Sequence, residues 1–199
     1  MSMFTIAGAP TIEEGDMELI FSTTLTSDTA TISTGTLPTG YNAYKIYIRA
    51  RGDNTAVAQR TIIRIYFNDD QTETNYQLFR IEASSAASPD GPGNGVNDNG
   101  VSIAATVLIP NAIAAAGFYA AAIINVYSPE STIGYKSYDS KQGSHTQPTG
   151  ATQFGARFIR SSTGVWLNQS AITSILFKIP SSQSADIVAG SSVHVYGLK

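Results

Sequence analysis

Two histidines, His145 and His194, are the only imidazoles in this chain of 199 residues, which contains no cysteine. A histidine-dependent hydrolase or a transition-metal site would therefore have to be built around one or both of them. His194 alternates with Val193 and Val195, a spacing that predicts the outer face of a β-strand. The motifs GxSxG, HExxH, GxGxxG and GxxxxGK[ST] do not occur in the sequence. We therefore predict that the protein is not an enzyme, holds no metal ion and needs no cofactor.

A second candidate site is the segment NDDQTE at residues 68–73, whose side chains carry several carboxylate and amide oxygens that could bind a cation. Hard cations such as Ca²⁺ bind ligands of this type, but the segment lacks the spacing of an EF-hand. Asn and Asp side chains also satisfy backbone groups in tight turns. We favour this second interpretation, a loop between two strands, and keep the calcium site as the alternative.

The elements that position these groups are predicted to be β-strands. In residues 44–51 and 61–67, apolar side chains recur at every second position, which is the pattern of a strand with one buried face. Turn segments rich in Gly, Pro, Asn, Asp and Ser separate such stretches, and SSTG at residues 161–164 is one of them. The other predicted strands are residues 18–25, 75–81, 101–108, 118–127, 134–140, 152–159, 172–179 and 192–196. Many short strands with such turns predict an all-β sandwich or barrel.

The charge of the chain argues against nucleic acid as a partner, and its distribution distinguishes the N-terminal segment from the rest. Lys and Arg total 12 against 15 Asp and Glu, a formal charge of −3, so the sequence lacks the basic character of a nucleic-acid-binding protein. No Lys or Arg precedes Lys45, whereas Glu13 and Glu14 do. We therefore predict an acidic N-terminal arm with the first strand over residues 1–28, followed by a β-sandwich domain over residues 29–199.

The longest uncharged run, residues 100–129, has the length of a membrane span. Pro110, Asn111, Gly117 and Asn125 interrupt it, and its many alanines are only weakly apolar. Hydrophobic residues make up 42% of the chain and charged residues 14%, a composition that favours a folded chain over a disordered one. We predict that the chain folds and does not contact a membrane.

Aromatic residues are candidates for a binding surface. The chain has ten Tyr, eight Phe and one Trp. Tyr47 and Tyr66 fall on the polar sides of their predicted strands, where a subunit interface or a platform for sugar rings would need them. We predict both as exposed interface residues, and the alternative is that they are ordinary surface tyrosines.

Three segments together resemble a widespread group of small tailed-phage virion proteins. They are RIYFNDDQTETNYQ at residues 64–77, GVWLNQSAITSILF at residues 164–177 and VAGSSVHVYGLK at residues 188–199. The segment LPTGYNAYKIYIRAR at residues 37–51 fits the same group, so the resemblance covers most of residues 37–199. This chain departs from the group at residues 68–70, which lack the usual glycine.

The resemblance implies a single-domain, antiparallel, jelly-roll-like β-sandwich and two candidate roles. The first is a capsid decoration, or cement, protein that binds the major capsid protein and stabilises the head shell. Such a protein is made in the host cytoplasm, lies on the capsid surface of the virion and is expected to be a homotrimer. The second role is a receptor-binding or tail-fibre tip domain that recognises a glycan on the host surface. A carbohydrate-binding module of an enzyme is a third alternative.

The resemblance also implies a role for the acidic arm. In decoration proteins such arms connect subunits to one another or to the shell. The apolar residues Met3, Phe4 and Ile6 and the acidic residues Glu13 and Glu14 are therefore expected at an interface. Neither nucleic acid nor a membrane is expected as a partner.

Overall fold

The computed structural model describes residues 17–55, 61–84, 105–112, 117–145 and 157–199. Within these ranges the backbone forms β-strands, loops and two 3₁₀ turns, Glu73–Asn75 and Ser181–Gln183. The described residues contain no α-helix that could cross a membrane. In chain order, the strands are β1 (Met17–Thr24), β2 (Thr31–Ser33), β3 (Ala43–Ala50), β4 (Thr61–Phe67), β5 (Tyr76–Ser84), β6 (Ala105–Ile109), β7 (Ala120–Tyr127), β8 (Lys136–His145), β9 (Arg157–Trp166), β10 (Ile175–Lys178) and β11 (Ser192–Leu198).

The strands form two antiparallel sheets that pack face to face as a sandwich. The larger sheet has the order β1-β11-β3-β7-β8-β9-β5, and the smaller sheet has the order β2-β10-β4-β6. The predicted all-β sandwich is therefore confirmed. The three-residue strand β2 is the one described strand that lies outside the predicted stretches, because so short a segment has no measurable periodicity.

Alternate residues of each strand build the core between the two sheets. In β3, Tyr44, Ile46 and Ile48 are buried, whereas Lys45 and Arg49 point to the other side of the sheet, as predicted. The same alternation continues in the neighbouring strand β7. A period of two therefore gives the larger sheet one face in the core and one face outside it.

Aromatic contacts join the two sheets. The ring of Phe67, at the end of β4, lies 5.7 Å from the ring of Trp166 on β9 and 5.8 Å from that of Tyr138 on β8. The ring of Tyr76 stacks on Trp166 at 6.4 Å. Because all four side chains are fully buried, these contacts hold the smaller sheet against β8 and β9.

The first and last strands pair with each other at one side of the larger sheet. Met17 of β1 lies opposite Leu198 of β11, and β11 pairs on its other side with β3. On β11, Val193 and Val195 are buried in the core. His194 points outward, as predicted, and its Nδ1 lies 2.9 Å from the hydroxyl of Ser22.

The prediction of a turn at residues 161–164 is wrong, because this segment lies inside β9. Small residues are needed here for packing. The hydroxyl of Ser162 lies 2.6 Å from that of Ser140 on β8, and both side chains are buried. At Gly164, an added Cβ would lie 2.4 Å from the ring of Tyr138. Tertiary contacts therefore override the turn propensity of the segment.

Candidate functional site

We call the side of the larger sheet that points away from the core the outer face. The pairing of the seven strands gives the relative positions of the residues on this face. Residues that lie directly opposite one another form rows across the seven strands. From β1 to β5, one row is Ser22, His194, Tyr47, Ile123, Lys141, Ser161 and Ile81. The next row is Leu19, Tyr196, Lys45, Asn125, Asp139, Thr163 and Phe79. The rows mix aromatic, aliphatic and basic side chains.

Besides Leu19 on β1 and Tyr127 on β7, four large apolar side chains of the outer face are exposed. Ile159 is 73% exposed, Ile81 53%, and Phe79 and Ile123 are each 39% exposed. They lie on β7, the central strand of the larger sheet, and on β9 and β5, at the side away from β1. Contiguous apolar patches larger than a few hundred Å² are uncommon on soluble monomers and often mark binding surfaces, so this group of side chains is the candidate functional site.

A depression of about 410 Å³ lies within this apolar area, and we call it the groove. Its lining includes Ile123 of β7, Ile159 of β9 and Lys141 of β8. Ala121 and Gly143, which lie opposite each other on β7 and β8, also line it. Their small size leaves room between the two isoleucines. The groove can therefore accept an apolar side chain beside a positive charge.

Aromatic residues occupy the other side of the outer face. The rings of Tyr47 and Tyr196 meet edge to face at 5.6 Å. The ammonium of Lys45 lies 5.7 Å from the centre of the Tyr47 ring. Tyr47 is half-buried and points outward, on the side of β3 that the alternation predicts, and its role at an interface stays a prediction. A tyrosine placed in this way offers apolar area and a hydroxyl to a partner.

A hydrogen-bonded polar cluster lies on β7 and β8, next to the groove along the strand direction. Asp139 accepts hydrogen bonds from the hydroxyl of Tyr127 and, at 3.1 Å, from the amide of Asn125. The bond to Asp139 and partial burial raise the pKa of Tyr127 to about 12. The phenol therefore stays protonated at neutral pH and is not available as a base. The cluster can exchange hydrogen bonds with a ligand but contains no activated nucleophile.

The outer face is basic where its side chains are described. Lys45, Arg49 and Lys141 point outward on the five central strands, against the single carboxylate of Asp139. The guanidinium of Arg49 lies 3.7 Å from the centre of the Tyr119 ring. This surface therefore differs in sign from the whole chain, whose formal charge is −3. An acidic partner would be favoured over a basic one.

The prediction that Tyr66 is exposed is wrong, because its side chain is only 4% exposed. The ring meets that of Tyr76 edge to face at 6.1 Å. The connection between β4 and β5 also folds back beside it, since Arg64 forms an ion pair with Glu73. Desolvation raises the pKa of the Tyr66 phenol above its usual range. Tyr66 is a core residue and not part of the outer face.

The segment at residues 68–73 forms a turn, which confirms the favoured interpretation. Asn68 and Asp69 have left-handed backbone angles, with φ of 54° and 55°. The N–H of Asp70 donates to the carbonyl of Phe67 at 3.0 Å and closes the turn. The side-chain carbonyl of Asn68 accepts from the N–H of Thr173 at 2.8 Å. In the described part of the chain, no group of three or more His, Asp or Glu residues could hold a metal ion.

The predicted interface residues of the arm, Met3, Phe4, Ile6, Glu13 and Glu14, lie outside the described residues. The same holds for the side chain of His145. No known protein family matches the chain, and a search of curated proteins finds no match. The resemblance to tailed-phage virion proteins therefore stays a prediction.

The apolar part of the outer face was not predicted from the sequence. Phe79 and Ile81 alternate with Arg80 and Glu82, and hydrophobicity alone would place the two apolar residues in the core. In the structure Glu82 is buried, because it pairs with Arg160 of β9. The only sequence signal is that β5 carries apolar residues on both of its sides, which include Tyr76 and Leu78 on the inner side.

Proposed function

We propose that this chain is a non-enzymatic structural protein of a tailed-phage virion. In this role it decorates the capsid, binds the major capsid protein and stabilises the head shell as a homotrimer. The observation that carries the proposal is the outer face, a regular sheet surface with exposed Phe79, Ile81, Ile123 and Ile159. The resemblance of residues 37–199 to phage virion proteins supports the same role.

The size of the outer face fits a protein interface. Seven strands about 4.8 Å apart and eight residues of about 3.3 Å each give a face of about 29 by 26 Å. The resulting area of about 750 Å² is close to the roughly 800 Å² that each partner contributes to a stable interface. Each contact with a shell would be moderate, and symmetry would add avidity.

A second candidate, a receptor-binding or tail-fibre tip domain, is favoured by the polar and aromatic groups of the same face. Tyr47 and Tyr196 present ring faces and edges to solvent, and Asn125 and Asp139 form a hydrogen-bonded pair beside them. Sugar rings stack on aromatic side chains, and their hydroxyls bind amide and carboxylate groups. This candidate would use a glycan as the partner.

The two candidate functions can be distinguished by measuring whether the protein binds phage shells or host glycans. Purified protein is mixed with phage shells that lack it and, separately, with host cells and a glycan array. Decoration predicts saturable binding to shells, at a copy number set by the capsid symmetry, and a higher melting temperature of the shells. Binding to cells or glycans with none to shells would contradict decoration and favour the second candidate.

A matched pair of variants tests the use of the outer face. Ile159→Asp places a charge in the exposed apolar area and should weaken binding to shells by about 10-fold or more. Ile133→Asp makes the same change at a residue that is 89% exposed in the connection between β7 and β8, and it should leave binding unchanged. Equal loss in both variants would argue against the outer face as the contact.

A further inference from the structure

We propose that the groove binds a segment of the major capsid protein in which one apolar residue has an acidic residue two positions away on each side. The inference rests on the proposed function, because it names the chemistry of the shell segment that the outer face recognises. Four side chains around the groove determine this pattern, and they are Arg49, Ile123, Lys141 and Ile159.

The floor of the groove consists of two small residues, and two isoleucines lie beside it. Ala121 and Gly143 are directly opposite each other on β7 and β8. Ile159 continues their row on β9, and Ile123 lies two residues further along β7. The depression of about 410 Å³ is larger than one aromatic side chain. An apolar side chain that enters it would leave water between the two isoleucines, which favours binding.

Two basic side chains lie on opposite sides of this floor. Arg49 is next to Ala121 on β3, and Lys141 is two residues from Gly143 on β8. Both side chains are exposed. The guanidinium of Arg49 lies 3.7 Å from the centre of the Tyr119 ring, which fixes its position beside the groove. A guanidinium has five N–H donors and an ammonium has three, so both groups can donate to a carboxylate of a ligand.

The carboxylate nearest along the chain does not neutralise these charges. Asp139 is two residues from Lys141 on β8. It accepts hydrogen bonds from Tyr127 and Asn125 instead. Among the described residues, neither Lys141 nor Arg49 forms an ion pair. A partner with two carboxylates therefore adds two complementary charge pairs at the groove.

The separation of the two basic residues specifies the separation of the two acids. Arg49 and Lys141 are two strands and two residues apart. With about 4.8 Å between strands and about 3.3 Å per residue, this diagonal is about 12 Å. In an extended segment, residues i and i+4 lie about 13 Å apart on the same side, with residue i+2 between them. Acids at i and i+4 can therefore face the two basic residues while an apolar residue at i+2 faces the groove.

The pattern also distinguishes a shell segment from two other occupants. Two outer faces packed together would bring like charges into contact, which costs binding free energy. Residues 1–16 of the chain itself contain Glu13, Glu14 and Asp16. None of their apolar residues has an acidic residue two positions away on both sides. We therefore assign the groove to the partner protein.

A yeast-displayed library of random peptides tests the pattern without phage shells. Sorting on the full-length protein should enrich peptides with acidic residues at i and i+4 and an apolar residue at i+2. Their binding should fall by at least about 10-fold in Ala121→Leu, which fills the floor, and in Lys141→Glu. The matched controls Ala30→Leu and Lys199→Glu change exposed residues that do not line the groove and should bind like wild type. No enrichment, enriched peptides without this spacing, or equal binding to Ala121→Leu would overturn the proposal.

Shells that lack the protein separate this inference from the proposed function. Ala121→Leu and Lys141→Glu should each weaken shell binding by about 10-fold, and added salt should weaken the binding of wild type more than that of Lys141→Gln. If Ala121→Leu binds shells as tightly as wild type, the groove is not the contact, and the proposed function stands without it. If wild type binds no shells, the proposed function fails together with the capsid segment as occupant, whereas the selected peptides still report the chemistry of the groove.

Discussion

The carboxylate of Asp70 accepts a hydrogen bond of 2.9 Å from the indole nitrogen of Trp166, although 96 residues separate the two in sequence. The same oxygen accepts a second bond of 2.9 Å from the side chain of Asn75. The pair ties the connection between β4 and β5 to the end of β9, where the large aromatic residues of the core meet. A turn that sequence alone assigns to local backbone geometry therefore also holds two parts of the larger structure together.

Asp70→Asn should lower the free energy of unfolding by about 1–3 kcal/mol, because the buried indole N–H loses a charged acceptor. Asp69→Asn is the matched control, since Asp69 is exposed and accepts a hydrogen bond from the neighbouring Gln71. Urea unfolding at neutral pH measures both changes. A change in Asp69→Asn as large as that in Asp70→Asn would contradict the assigned role.

The effect of Asp70 should depend on pH. Burial acts to raise the pKa of Asp70, but hydrogen bonds from Trp166, Asn75 and Thr72 outweigh it and lower the pKa below its usual range. The unfolded chain therefore binds more protons than the folded one, so the stabilisation is complete above the unfolded pKa of about 4 and decreases as pH falls through the folded pKa. Unfolding measured from pH 7 to pH 3 should show the gap between wild type and Asp70→Asn narrowing in acid. A constant gap would contradict this linkage.

Gly164→Ala should destabilise the sandwich by at least about 1–3 kcal/mol, because overpacking forces the core to move. The new Cβ would lie 2.4 Å from the Tyr138 ring and 2.6 Å from the carbonyl oxygen of Gln77. Gly134→Ala is the control, since an added Cβ there has no described atom within 4 Å. Thermal unfolding followed by circular dichroism compares them. Equal melting temperatures for the two variants would show that β8 and β9 are not packed as described.

Tyr66→Ala and Tyr47→Ala should have opposite consequences. Tyr66 is buried, so its truncation should cost about 3–5 kcal/mol of folding stability. Tyr47 points outward, so its truncation should change stability much less and should weaken self-association or shell binding instead. Chemical unfolding and light scattering, made on both proteins, separate the two effects. A large loss of stability in Tyr47→Ala would place this residue in the core.

The buried ion pair between Glu82 and Arg160 should be costly to break and cheaper to replace. Two of the three guanidinium nitrogens of Arg160, Nε at 3.1 Å and Nη2, donate to one carboxylate oxygen of Glu82, and both side chains are buried. Glu82→Leu leaves a buried guanidinium and should cost about 3–5 kcal/mol. Glu82→Leu/Arg160→Met removes both charges and should recover most of this loss. A double variant no more stable than the single one would contradict the pairwise account.

The strands with one clearly apolar side were predictable from sequence. Residues 61–67 were predicted with the observed bounds of β4, since Ile63, Ile65 and Phe67 alternate with other residues. Period-two alternation requires only that neighbouring strands pair and that one side be buried. It does not require knowledge of which strands are neighbours, so it succeeds without tertiary information.

The failures have tertiary causes. Ser162 and Gly164 have turn propensity, yet they lie in β9 because Ser140 and Tyr138 of the adjacent strand leave no room for larger side chains. Tyr66 is on the predicted side of β4, but the connection to β5 covers it. The alternation of residues along a single strand contains no information about a loop that covers one of its sides. The apolar part of the outer face was missed because an exposed isoleucine and a buried one look alike in a sequence.

The pairing of Met17 with Leu198 determines how the sandwich responds to mechanical force. Since β1 and β11 are antiparallel and these two residues lie opposite each other, tension applied at both would peel β1 from β11 and load the hydrogen bonds one pair at a time. Two strands whose hydrogen bonds break one pair at a time separate at low force. A force that slides the strands along each other would instead act on many hydrogen bonds at once. If the protein is part of an assembly under mechanical stress, the force would have to act on the side of the sheet and not on Met17 and Leu198.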